Sequence, residues 1–513
     1  MVNHKTVCIE ERPHYFYYLP LLQHLLYYHR KKCVQQIMTT GRPKTCSISL
    51  EKIGSSFQNR WEVENDSRLQ EYAYMNVEVQ KEIDESSESS VTTNDNEIEE
   101  LTIGINKDTA AGPDNILIGV LKKVDCFNLL ALMATKILRN GFVPESLKLA
   151  RTVLIYKKGD KNECSNWRTI SVCSIIRRII ERVVERKLRR FIQLNENQRG
   201  FMAMPGTFIN TSLVDCVLKS AKQDKKDVAI VFLDILQAYD NVGHEHLIEP
   251  LKTFGITTPL HTCISNLIKG NCTQIQTAQG KSKKIFFKRG VFQGSPLCPI
   301  LFNVAINPIL DNLSENTVSD HFGYQIQPDL PTLSVAGFAD DTTLIARGIQ
   351  EATELVMQAK HSFEELGMRI NFSKSNAIIL EKVILVTKDI NLGNDDIIRS
   401  ISTNDTIKYL GVNFREEIIF DEDQVMKNLH ADLEKLVSTQ MLHPHQKIKI
   451  MCEYIWPKVV YPFQNAPLSK LRKVFLEKMD VMIRSIAKEI IGSLALTKRD
   501  VIFTKKCKRL GFT

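Results

Sequence analysis

Three things are missing from this 513-residue sequence. It has no C-x-x-C pair: its twelve cysteines stand singly, at 8, 33, 46, 126, 164, 173, 216, 263, 272, 298, 452 and 507. That spacing disfavours a zinc finger or ribbon. Single scattered cysteines read as small buried residues of a reducing compartment. It has no N-terminal signal peptide, because Glu10, Glu11 and Arg12 precede any apolar run. It has no run able to span a bilayer: residues 15–28 are aromatic and apolar but short, and Pro20, Gln23 and His24 interrupt them. No membrane partner is expected. Charge of one sign is also scarce, with 67 Lys and Arg against 59 Asp and Glu. A mild basic excess suits a polyanion partner without requiring one. A chain of this length, 43% hydrophobic, has material for two or three lobes.

What is present centres on Phe338-Ala339-Asp340-Asp341. Strand-forming stretches flank it, Leu333–Gly337 before and Thr342–Ala346 after, so it reads as a hairpin with two carboxylates at its tip. A bare Asp-Asp pair is most often a solvated turn. Here a second apolar strand, Val228–Leu233, ends in Asp234 about 100 residues earlier. Carboxylates gathered at one end of a sheet repel one another unless a hard divalent cation sits among them. Paired Mg2+ ions in such a cluster activate one oxygen and stabilise another in phosphoryl transfer.

Further motifs stand in a fixed order around these. Ala110-Ala111-Gly112-Pro113-Asp114-Asn115-Ile116 is a turn, in which Asn115 tolerates a left-handed backbone. Val153–Asp160 is a strand running into a basic turn with Lys157 and Lys158, followed by Asn166-Trp167-Arg168-Thr169-Ile170-Ser171. Asn197-Gln198-Arg199-Gly200-Phe201 precedes a helix over 212–222. Phe232-Leu233-Asp234-Ile235-Leu236-Gln237-Ala238-Tyr239-Asp240, Arg289-Gly290-Val291-Phe292-Gln293-Gly294-Ser295-Pro296, Met368–Lys374 and Lys408-Tyr409-Leu410-Gly411-Val412 complete the series. In this order the motifs resemble those of a reverse transcriptase, and more narrowly those of non-long-terminal-repeat (LINE-type) retrotransposons. Leu442–Ile448 resembles the site-specific clade that carries a restriction-like endonuclease, of which only the polymerase portion is represented. Thr169 stands where that family has Pro, Asn115 where it has Gly, Ser295 where it has Asp, and Phe292 where it has Arg or Lys.

The resemblance implies an α+β right-hand polymerase: a ferredoxin-like antiparallel palm sheet, basic fingers and a helical thumb. It implies an RNA-directed DNA polymerase that extends a DNA primer, or target DNA, on an RNA template with deoxynucleoside triphosphates. Asp234, Asp340 and Asp341 would be catalytic and hold two Mg2+ ions, replaceable by Mn2+. Lys157 or Lys158, Arg168, Gln293, Gly294 and Lys374 would bind the nucleotide. Tyr239 would lie under its sugar and exclude a 2′-hydroxyl, although on its own it reads more readily as a core aromatic. Tyr409, Leu410 and Gly411 would grip the primer. An intracellular protein with nuclear access is expected of such an enzyme. A decayed or domesticated copy that binds nucleic acid without catalysis, and an RNA-templated RNA polymerase, remain the alternatives.

Four segments are expected. Residues 1–75 form an aromatic and basic helical extension, with an amphipathic helix over 13–37, and 76–100 an acidic, Ser-rich flexible linker. Residues 101–415 hold fingers and palm, including one helix over 117–138. Residues 416–513 make a helical thumb and tail. Two stretches are strongly basic: 145–190 holds thirteen Lys or Arg against five acids, and 470–509 twelve against four. Such runs are usually solvated faces, but they are also where a nucleic-acid backbone would lie.

Overall fold

A computed structural model describes residues 46–63, 91–107, 109–319, 322–393, 395–440, 442–467 and 471–492. The helix expected over 13–37, the Ser-rich centre of the expected linker and the tail from 493 lie outside the described residues. The chain divides between Glu417 and Ile418 into two compact units.

The helices of the first unit are α1 Leu50–Trp61, α2 Asp95–Ile103, α3 Phe127–Asn140, α4 Ile175–Leu188, α5 Gly206–Asp224, α6 Thr258–Ile268, α7 Cys298–Ser319 and α8 Ile349–Glu365. Ser49 caps α1, and Ile53, Phe57 and Trp61, each four residues apart, bury one face of it. The expected linker is shorter than its composition suggested. Asn94 accepts from the Glu97 amide, Asp95 and Glu97 complement the helix dipole, and α2 buries Ile98, so residues 95–100 are helical. The single helix expected over 117–138 is broken into a turn at Ile118–Leu121 and α3. Between them Lys122, which caps the turn, donates its Nζ to the Ile103 and Ile105 carbonyls. Asn115 has a φ of 59°, the left-handed conformation its residue type permits. Gly112 lies so close to the start of α4 that a Cβ there would be 2.5 Å from the Ser174 nitrogen.

The strands are β1 Leu149–Tyr156, β2 Trp167–Cys173, β3 Val228–Leu233, β4 Cys272–Thr277, β5 Gly280–Lys281, β6 Ile285–Phe286 and β7 Val335–Phe338. They continue with β8 Asp341–Ala346, β9 Asn376–Glu381, β10 Ile384–Leu385, β11 Ile390–Asn391, β12 Ile397–Ser400, β13 Ile407–Tyr409 and β14 Val412–Phe414. Two sheets matter for function. One has the order β2-β1-β4-β5, with β1 antiparallel to β2 and parallel to β4. The other has the order β11-β12-β9-β3-β8-β7. Its centre is antiparallel, as the palm reading expects, but β12 runs parallel to β9, so the sheet as a whole is mixed. All six residues of β3 are buried, which explains its unbroken apolar sequence. Helices α5 and α8 pack on this sheet.

The second unit is helical: α9 Glu422–Ser438, α10 Pro444–Ile450, α11 Trp456–Asn465 and α12 Lys473–Ile491. Leu429, Leu433, Leu436, Ile448, Ile455, Met479 and Ile486 form its core. A π-helical turn, Met451–Ile455, joins α10 to α11. Pro457 follows it and has no amide hydrogen to donate to the preceding turn, which accounts for the wider winding there. No helix among the described residues is long and apolar enough to cross a membrane.

Candidate active site

Strands β3 and β8 pair antiparallel with Leu233 opposite Thr342. One further step of that register sets Asp234 opposite Asp341. Asp340 precedes β8 in the two-residue turn that joins it to β7, where Phe338 faces Asp341. Asp234, Asp340 and Asp341 therefore share one end of the sheet.

The turn is held under strain. Ala339 has a φ of 55°, a region that a residue with a Cβ seldom occupies. Gln198, 1% exposed, compensates for it. Its Oε1 accepts from the Ala339 amide at 2.9 Å and from the Gly200 amide at 2.8 Å. Asn210 Nδ2 donates to the Gly337 carbonyl at 3.1 Å, and the Arg199 amide donates to the same oxygen at 3.0 Å. Gly200 comes so near that a Cβ would lie 2.2 Å from the Ala339 nitrogen. The Asn197–Phe201 block thus docks on the carboxylate hairpin.

Asp234 is fixed from another side. Asn371 Nδ2 donates to its Oδ2 at 2.9 Å, and the Asn371 amide donates to its carbonyl at 2.7 Å. The Asp234 amide donates to Ser375 Oγ at 3.1 Å. These residues belong to the turn that carries Lys374.

Burial raises the pKa of Asp340, and the Asp234 carboxylate raises it further, against the opposing charges of Arg168 and Lys157. Asp341 is pushed up to about 6 by the crowding protein and by the carboxylates of Asp340 and Asp234. Lys157 is lowered by burial first and then by Arg168, with Arg60 and Lys374 acting in the same direction. Arg168 and Lys157 are thus near enough to Asp340 to favour its charged form, and Lys374 is near enough to Lys157 to disfavour its charge. Lys158 is exposed just beyond the end of β1.

The other residues expected in the site are placed as follows. Tyr239 stacks on the buried ring of Phe302, with centroids 4.3 Å apart. Its buried hydroxyl has no hydrogen-bond partner among the described residues. Burial, then Asp340, raises its pKa. Gln293 does not project freely: its Nε2 donates to Asp240 Oδ1 at 3.1 Å, and its carbonyl accepts from the Ser171 amide at 2.8 Å. Gly294, at φ 122°, lies against the Ser171 carbonyl, 2.9 Å from where a Cβ would be. Tyr409 is 5% exposed, packed on Phe232 at 4.8 Å and pushed up to about 12 by burial, so its side chain is core. Only the Leu410-Gly411 turn, with φ of 45° and 84°, reaches the surface.

Two sets of contacts have no signal in the sequence, those of Asp240, which the resemblance makes a structural position, and those of Ser295 and Phe292. Asp240 is 4% exposed, and burial raises its pKa. It is bonded by Arg60 at 3.3 Å and Trp61 Nε1 at 3.3 Å, both from α1. Ser295 and Phe292, the departures from the family pattern, are explained by a buried ion pair. Arg177 donates to Glu181 at 2.7 Å, Ser295 Oγ donates to the other Glu181 oxygen at 2.7 Å, and the guanidinium lies 5.1 Å above the Phe292 ring. An Asp at 295 would face Glu181 and an Arg at 292 would face Arg177.

Much of the first basic run is likewise structural. Arg151, Arg177, Arg178, Arg182 and Lys187 donate to backbone carbonyls, and Arg186 and Arg189 pair with Glu100 and Glu185. In the second run Arg472 pairs with Glu422, and Arg484 with Asp480.

The donors at the sheet end fit a divalent cation in kind. They are hard carboxylate oxygens, and at two of them ionisation is opposed by like charge, which a cation would relieve. Among the described residues no three His, Cys, Asp or Glu side chains close on a common point as a metal centre would.

Comparison with known proteins follows the same lines. Residues 155–414 match the family model "Reverse transcriptase (RNA-dependent DNA polymerase)". The Pol polyprotein of the type-1 retrotransposable element R2 of Popillia japonica is 28% identical over 69% of this chain and 49% of its own length. That of Nasonia vitripennis is 28% identical over 74% of this chain and 36% of its own. The chain thus spans half or less of these relatives. A solved telomerase from Candida tropicalis, in complex with a fragment of telomeric RNA, has 13% identity and a TM-score of 0.39 over 69% of this chain and 60% of that one. With just over half its length matched by the family model, the chain belongs to the reverse transcriptase family, and within it the chain is similar to the Pol polyproteins of the R2 retrotransposable elements.

Proposed function

We propose that this chain is an RNA-directed DNA polymerase, extending a DNA primer on an RNA template by nucleotidyl transfer from deoxynucleoside triphosphates. The observation that supports the reading is the sheet end shared by Asp234, Asp340 and Asp341, where the charges of Arg168 and Lys157 oppose the raised pKa of Asp340.

In this reading the three carboxylates hold divalent metal, Mg2+ or Mn2+. When bound, the metal supplies positive charge that lowers the barrier to attack and to leaving-group departure. The primer 3′-oxygen loses its proton and bonds to the α-phosphorus. The bond to the β-phosphate bridging oxygen breaks, and pyrophosphate carries off the electron pair. Arg168 and Lys157 neutralise the triphosphate, with the guanidinium able to take two phosphate oxygens at once. Gly294, having no side chain, leaves the base pair room to approach, and Gln293 keeps that loop in place through Asp240. Tyr239, braced by Phe302, lies beneath the sugar. The Leu410-Gly411 turn meets the primer strand.

Primer extension on a homopolymer RNA template with Mg2+ tests this. Wild type should incorporate deoxynucleotides. Asp340→Asn should abolish incorporation and leave primer–template affinity within about twofold, since it removes an anionic donor and little volume. A folded wild-type protein that binds primer–template and never extends it overturns the reading in favour of a non-catalytic binder.

A further inference from the structure

Behind the loop that follows Asp234 lies an open cleft of about 1040 Å³, walled by α1, by the residues after β3 and by the end of α8. Three arginines line it: Arg60, Arg289 and Arg369. Arg60 is committed to Asp240, but Arg289 and Arg369 have no carboxylate partner among the described residues. Arg289 Nε donates to the Arg60 carbonyl at 2.8 Å, which aims its guanidinium from a fixed base. The three charges are close enough that burial, then Arg60, then Arg369, lower the Arg289 pKa. The cleft also holds Lys360, paired with Asp396 at 2.7 Å, and the exposed Glu364. Exposed Leu236 and half-buried Phe372 supply apolar surface in the same cleft.

Two arginines without a carboxylate partner among the described residues, in one cleft with Leu236 and Phe372, form a site for phosphate-bearing ligands that also carry bases. The cleft lies at the top of the range of about 300–1,000 Å³ typical of small-ligand sites, far more than an inorganic phosphate or pyrophosphate fills. It borders the chain segment that leaves Asp234, through Leu236 and Gln237. We infer that this cleft is a second nucleic-acid contact, holding a few nucleotides of single-stranded RNA through backbone phosphates on Arg289 and Arg369. The kind of polymer follows from the polymerase reading; the contact itself does not depend on catalysis.

The test is equilibrium binding of a fluorescent 12-nucleotide RNA across a salt series. The proteins are wild type, Asp340→Asn and the double variant Arg289→Gln with Arg369→Gln, each checked by a thermal melt. Lys123→Gln with Lys136→Gln, exposed positions away from the cleft, controls for net charge. The arginine variant should bind about tenfold more weakly and lose about 1.4 from the slope of log affinity against log salt, about 0.7 for each single-strand phosphate neutralised. The lysine control and Asp340→Asn should keep the wild-type slope. Arg289→Lys with Arg369→Lys should restore most of the slope, and so exclude misfolding as the cause. An unchanged slope in a folded Arg→Gln variant overturns the inference while leaving the polymerase reading intact. So does displacement of RNA by inorganic pyrophosphate at concentrations where sodium chloride of equal ionic strength has no effect, because that marks a small-anion site. Loss of extension in Asp340→Asn with normal RNA binding separates the two claims.

Discussion

Asp341 carries a carboxyl pushed up to about 6, whereas in an unfolded chain it would titrate near about 3.9. A raised carboxyl is a liability once ionised. The loss of stability accumulates as pH rises from about 4 to about 6 and is constant above that. Metal-free Asp341→Asn should therefore melt above wild type at pH 7–8, and the gap should close towards pH 4. Solvent screens a side chain that reaches the surface, so the gain is about 1 kcal/mol, or about 2–4 °C. Melts in chelator across that pH range decide it; a gap independent of pH would show that the shift has another origin. Ser295 gives a prediction of opposite sign. Ser295→Asp would restore the residue usual in the family but set a second carboxylate against Glu181 in a buried site. It should destabilise the fold by about 2–4 kcal/mol, and adding Glu181→Gln should recover part of that. Additive losses in the double variant would show that the two side chains do not communicate. Tyr239→Ala separates two roles that its position leaves together. As a sugar gate, its loss admits ribonucleotides while DNA synthesis persists. As a core ring on Phe302, its loss costs about 3–5 kcal/mol with selectivity unchanged.

The β7–β8 hairpin is an element whose shape is imposed from outside. Its own sequence, Phe-Ala-Asp-Asp, offers no glycine at the position that needs a left-handed backbone, so the conformation of Ala339 depends on Gln198 and on the close approach of Gly200. Gly200→Ala should push the turn away and reduce kcat by about 10²-fold, as a misplacement of about 1 Å can, with KM for nucleotide changed much less. A parallel rise in KM would instead place the Gly200 loop in nucleotide binding. The hairpin itself was legible in the sequence, and so were β3, α8 and the helices of the second unit, because period-2 and period-3.6 patterns and turn residues are local signals. What holds the hairpin was not legible. Gln198 lies 141 residues from Ala339, Asn371 137 from Asp234, and Trp61 179 from Asp240. None of those side chains is marked by a pattern, since a buried Gln or Asn looks like a surface one until its partner is known. For the same reason Ser295 and Phe292 stood as bare departures from the family pattern, when each suits the Arg177–Glu181 pair beneath it.

Across the whole molecule, charge is the property that the sequence misstates most. Two runs looked like continuous basic faces, yet Arg177 is buried, Arg186, Arg189, Arg472 and Arg484 are paired with acids, and several others are spent on backbone carbonyls. A cation already neutralised by a neighbouring carboxylate displaces few counterions when a phosphate arrives, so it adds little to the salt dependence of binding. Lys157 differs: burial, then the neighbouring charge of Arg168, lower its pKa, and Lys374 acts in the same direction. An anionic strand or triphosphate would relieve that repulsion. Two triple variants of equal charge change should then behave differently. Lys157→Gln with Arg168→Gln and Lys374→Gln should lower the salt slope of binding to primer–template carrying an incoming nucleotide by about 2–3, at about 0.7–0.9 for each phosphate no longer neutralised. Arg186→Gln with Arg189→Gln and Arg472→Gln should leave that slope within about 0.5 of wild type. Equal slopes for the two variants would mean that net charge, not placement, governs binding, and would remove the main electrostatic support for the nucleotide site.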